Sequence, residues 1–122
     1  MKDTLVQARL GLDDLRGGLD GTRQRIAAES RELETIRRRK QLAQGIADEE
    51  TVKIAATYEQ MHAERVDVLE RKLAAQEAEL ALAERDVEQM STELKAVLAG
   101  TDPRAAAGAG ASPSPLGESP SA

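Results

Sequence analysis

Arg37-Arg38-Arg39-Lys40-Gln41-Leu42-Ala43-Gln44-Gly45-Ile46-Ala47-Asp48-Glu49-Glu50 reads as the end of one helix, a tight turn and the start of a second. The four cations complement the negative end of a helix dipole, and Gly45 is the residue type suited to a left-handed C-terminal position. Asp48 can accept from the free N–H groups of a following helix, whose positive end Glu49 and Glu50 favour. The spacing predicts helix 1 over about 3–44, a turn at 45–48 and helix 2 over about 49–99, together a hairpin domain over 1–99.

Outward from this turn, apolar residues recur at alternating steps of three and four. Helix 1 places Leu5, Leu12, Leu19, Ile26, Leu33 and Lys40 at heptad position a, and Ala8, Leu15, Thr22, Glu29, Ile36 and Ala43 at d. Helix 2 places Val52, Glu59, Val66, Leu73, Leu80, Val87 and Leu94 at a, and Ala55, His62, Leu69, Gln76, Ala83, Met90 and Val97 at d. An antiparallel coiled coil sets each a against a facing d, so facing sequence numbers have a constant sum. A turn near residue 47 selects the sum 95, which brings Leu5 to Met90, Leu15 to Leu80, Ile26 to Leu69 and Ala43 to Val52. The flanks agree: Arg9, Arg16 and Arg23 fall near Glu84, Glu77 and Glu70, and Glu32 falls near Arg65. Opposite charges in that register favour it over a parallel pairing. The expected fold is all-α, a long antiparallel two-helix coiled-coil hairpin.

Helix 2 meets no Pro or Gly before Gly100 and could run about 75 Å as one rod. Helix 1 is the less secure of the two: Gly17, Gly18 and Gly21 each cost about 1 kcal/mol relative to Ala, and the sequence does not decide whether it breaks around Leu19. Beyond Gly100 lie all four prolines among Ala, Gly and Ser, so residues 100–122 are expected to form a disordered tail.

Composition narrows the function. Tyr58 is the only aromatic residue and the apolar content is mostly Ala, Leu and Val, which disfavours a compact globular core. A net charge of -5 disfavours a general nucleic-acid binder, and no aromatic residues interleave with Arg37 to Lys40 and Lys53 to stack bases. With no cysteine, disulfides and thiolate metal sites are excluded. Nowhere do 18 consecutive apolar residues occur, and Met1 to Arg9 lacks a signal-peptide core, so a cytoplasmic protein without a transmembrane segment is expected.

One seam does not exhaust the apolar surface of helix 2. Its c positions read Ile54, Met61, Val68, Ala75 and Leu82, joined by Tyr58 at g. On the same g side, Gly11 and Gly18 of helix 1 would admit another helix closely. The expected oligomer interface is therefore Ile54, Tyr58, Met61, Val68 and Leu82, with hairpins associating most simply as a two-fold four-helix bundle.

Three constellations suggest chemistry. Glu59 and His62 form a Glu-x-x-His step, to which Glu29 or Glu32 could add a carboxylate. In layout this resembles two-helix ferritin-like proteins that dimerise into four-helix bundles, which would make Glu32, Glu59 and His62 metal-ligand candidates. As ordinary coiled-coil residues, Glu59 opposite Ile36 and His62 opposite Leu33 set register instead, and that reading assigns no metal and no cofactor. Asp48, Glu49 and Glu50 put an acidic cluster at the tip. That tip resembles the coiled-coil finger of bacterial transcription factors that enter the RNA polymerase secondary channel, whereas capping and dipole compensation explain the same residues. The long Ala/Glu/Arg/Leu hairpin is also similar in composition to membrane-remodelling stress proteins of the phage-shock type. No nucleophile stands at usable spacing from a base, and no Gly-rich phosphate loop follows a strand, so no catalytic residue is assigned. The sequence points to a non-enzymatic scaffold or adaptor that binds itself and a protein partner.

Overall fold

The structure, a computed structural model, describes residues 2–100. It is an antiparallel hairpin of two long helices, α1 (Lys2–Gly45) and α2 (Glu49–Leu98), with no strand among the described residues. The sequence assigned to the tail from 101 onward lies outside the described residues. No described helix is long and apolar enough to cross a membrane.

Packing divides into two compact units, one comprising Asp13–Ala81 and the other residues 2–12 with 82–100. In the first, Leu19, Leu33, Ile36, Ala43, Ala55 and Leu69 are buried at a and d positions. In the second, Leu5 and Leu12 are buried, and Ala83, Val87, Met90 and Leu94 are half-buried at theirs. Every a and d position except Val97 is at least half-buried. The seam thus follows the 3.5-residue repeat, because only that stripe stays against the partner helix along its length.

α1 runs unbroken through Gly17, Gly18 and Gly21. It does not break at Leu19, where the flanking core is the most enclosed part of the seam. Leu19 is 3% exposed and Thr22 only 2%. The Thr22 hydroxyl donates back to Gly18 O at 3.1 Å, which satisfies a polar group the seam would otherwise strand.

The turn differs from its sequence reading in one residue. Gly45 is still helical, and the left-handed residue is Ala47, at φ 56°. Ala47 N–H donates to Gln44 O (3.2 Å) and Asp48 N–H donates to Ala43 O (2.9 Å), the paired bonds of a Schellman motif with Ala47 at C′. The Asp48 N–H bond to Ala43 O spans six residues and puts the left-handed position directly before Asp48, at Ala47. Asp48 then caps α2, its carboxylate accepting from Thr51 N–H (3.2 Å) and the Thr51 hydroxyl (2.6 Å). At the other end, Gly100 is left-handed at φ 75° and closes α2 by donating to Val97 O.

The flanking ion pairs also correct the expected partners. Arg23 bonds Glu77 (3.3 Å), not Glu70. Each Cα–Cβ bond tilts toward its own helix N-terminus, so in an antiparallel pair the long Arg23 side chain leans to a partner whose number sums with its own to more than 95. Glu32 and Arg65 form no ion pair among the described residues. Both are exposed, where water competes with a surface pair.

Candidate functional site

The chemistry-bearing residues of the seam lie within Asp13–Ala81, in two polar layers. Near the turn, Lys40 at a and Arg37 beside it reach across to Glu59. Lys40 Nζ donates to Oε1 at 2.6 Å and Arg37 Nε to Oε2 at 2.9 Å. Both carboxylate oxygens are occupied. Two of the four cations read from sequence as compensating the helix dipole are thus spent across the seam, Arg38 pairs with Glu34 of its own helix, and the last turn of α1 holds no basic residue. Further along, His62 Nδ1 donates to Glu29 Oε1 at 2.6 Å, with the two side chains 14% and 27% exposed. Since the carboxylate accepts, Nδ1 carries the proton of this pair.

The ligand candidates Glu32, Glu59 and His62 are therefore not brought together. Glu59 turns to Lys40 and Arg37, His62 turns to Glu29, and Glu32 stays on the surface. Among the described residues no group of three or more His, Asp or Glu side chains is placed to hold a metal ion. Heptad reading sets d opposite a and so put His62 against Leu33, whereas the Glu-x-x-His reading offered Glu29 or Glu32 as the added carboxylate, and the structure brings Glu29 to His62. The signal available was that Glu29 and His62 are the only ionisable residues at d in either helix.

Two carboxyls are shifted. The Lys40 and then the Arg37 hydrogen bonds hold Glu59 below its ordinary value of 4.5, and the Thr51 hydroxyl, then the Thr51 backbone, hold Asp48 below 3.8. Because folding lowers these values, the stability they contribute is complete above the ordinary values and is lost as pH falls through the folded ones. The melting temperature is expected to drop on acidification below about pH 4.5. Glu59→Gln should flatten that drop in a melting series across pH, and an equally steep profile would remove Glu59 as its source.

Outside the seam, α2 keeps a row of large apolar side chains in water. Ile54, Tyr58, Met61, Val68 and Leu82 are all exposed, Val68 to 60%. Met61 and Val68 join Arg25, Ala28 and Arg65 in lining an open groove of about 470 Å³ between the helices. At the tip, Leu42 and Ile46 are 72% and 77% exposed, beside the exposed Glu49 and Glu50. These two apolar residues were not singled out in sequence, although Leu42 holds a c position of α1 and Ile46 its g position.

No protein-family model, curated protein or solved structure matches this chain.

Proposed function

We propose that this chain is a non-enzymatic coiled-coil scaffold that associates with itself through the c and g face and presents its hairpin to a protein partner. The observation that supports it is the exposed row Ile54, Tyr58, Met61, Val68 and Leu82 on a helix whose a and d seam is already satisfied within the chain. Large apolar side chains left in water on one side of a helix favour association, which removes them from water at about 25 cal/mol per Å² of apolar area. The residues with the most chemistry to offer, Glu59 and His62, are engaged with α1 partners, which fits a role in register rather than in catalysis. A cytoplasmic setting belongs to the same reading and is supported by the highly charged composition.

Met61→Glu with Val68→Glu tests it. Neither residue belongs to the a and d seam, so helicity by circular dichroism should persist while the mass measured by light scattering falls to that of one chain. A parent that already has the mass of one chain, or an unchanged oligomer mass in the variant, would overturn the assignment of this face.

A further inference from the structure

Gly18 and Gly21 lie on the same c and g side as the exposed row. A Cβ built on Gly21 would meet nothing within 4 Å, and one on Gly18 would meet only Gln76 Nε2 at 3.5 Å. The hairpin itself does not need these glycines, which cost α1 helix propensity. They leave a smooth window in the flank of α1 at one level. The Gly18–Gln76 approach places that level opposite Gln76, where Gln76 Oε1 is buried without a hydrogen-bond partner among the described residues.

The g row of α2 changes sign at the same level: Arg65 and Lys72 precede it, and Glu79 follows. A row that is basic on one side of a point and acidic on the other is complementary to its own antiparallel copy turned about that point. The point of sign change, between Lys72 and Glu79, is at Ala75 and Gln76. The midpoint of the glycine window is at Leu19 and Asp20. The hairpin register sets Leu19 opposite Gln76, so two centres obtained from different helices coincide.

From this we infer that a second copy of the chain docks on this face antiparallel, tips apart, about a two-fold axis passing between Gly18 and Gly21 of α1 and beside Ala75 of α2. The inference rests on the self-association proposed above and specifies its geometry. Gly18 of one copy meets Gly21 of the other, where absent Cβ atoms let the two α1 backbones approach. Arg25 meets Asp14 of the other copy, and Lys72 meets Glu79 of the other copy. None of these four charges makes an ion pair among the described residues. The alternative two-fold dimer, with tips together, repeats the hairpin register between copies and sets Arg25 against Lys72 of the other copy. The same register sets Glu32 against Arg65 of the other copy, so its charges balance, and it faces Gly18 and Gly21 with α2 residues that carry a Cβ.

The full chain lacks cysteine, so single-cysteine variants report the geometry cleanly. Ala75→Cys should oxidise to a covalent dimer, because the axis brings this residue to its own copy, whereas Glu50→Cys at the tip should not. Lys72→Glu should weaken association roughly tenfold, and adding Glu79→Lys should restore it. Gly21→Leu should abolish the dimer while the hairpin melts no lower, since the new side chain meets nothing within its own chain. A dimer that cross-links through Glu50→Cys and not Ala75→Cys would overturn the antiparallel geometry while leaving self-association standing. Failure of Glu79→Lys to rescue, or a Gly21→Leu dimer of parental affinity, would also overturn it. A parent of single-chain mass at all concentrations would overturn both.

Discussion

Gly17→Ala, Gly45→Ala and Ala47→Gly combined should stabilise the protein by about 2 to 3 kcal/mol and raise its melting temperature by roughly 10 °C or more. Gly17 and Gly45 are helical, and a Cβ at either meets nothing within 4 Å, so alanine recovers helix propensity of about 1 kcal/mol at Gly17 and somewhat less near the end of α1. Ala47 has the opposite problem. Its φ of 56° places a Cβ against the following carbonyl, at a cost of about 1 kcal/mol that glycine removes. The three sites lie outside the a and d seam and off the c and g face of α1, so thermal melts at fixed protein concentration isolate the backbone effect from assembly. A triple variant that melts with the parent would mean that Ala47 is not left-handed in solution or that α1 is already open near Gly17.

Glu29→Leu with His62→Leu should stabilise the hairpin by about 1 to 4 kcal/mol, whereas His62→Leu alone should destabilise it or leave it unchanged. The pair occupies two half-buried d positions, where its mutual hydrogen bond offsets the loss of hydration. Taking away His62 strands a carboxylate against apolar neighbours, while replacing both turns a polar layer into a leucine layer next to Leu33 and Leu69. What the polar layer supplies instead is uniqueness of register, because a one-heptad slip parts Glu29 from His62. The double variant should therefore combine a higher melting temperature with a less unique alignment. That would be visible as loss of selectivity when cysteines at Leu12 and Ala83 are cross-linked. A double variant that melts below the parent would show that the pair contributes net stability.

Much of this was legible before the structure. The seam could be read because burial on a long helix is a matter of spacing, and Leu5, Leu12, Leu19, Leu33 and Leu69 are where the repeat puts them. Side-chain reach could not be read the same way. Heptad letters locate Cα positions, but Arg23 finds Glu77 and Lys40 finds Glu59 by leaning several ångströms along the helix axes. The turn misled through residue type: Gly45 is the better left-handed residue, yet it stays helical, and Ala47, next to the Asp48 cap of α2, takes the strained conformation. The exposed row on α2 followed from its spacing, since once a and d are used no position remains within the hairpin to cover c. At the tip, Leu42 and Ile46 escaped attention because two isolated apolar residues form no periodic signal.

The three-residue link from Ile46 to Asp48 also governs a state the chain avoids. Were it to become helical, α1 and α2 would fuse into one rod, and two such rods could exchange halves in a domain-swapped dimer. Ala43, the last seam residue of α1, and Val52, the first of α2, are nine positions apart. At 100° per residue that is about 900°, half a turn beyond two full turns. The fused rod would carry its two seams on nearly opposite sides, and no single straight partner could cover both. Heptad phase across the link, and not only the strain at Ala47, thus keeps each chain folded back on itself.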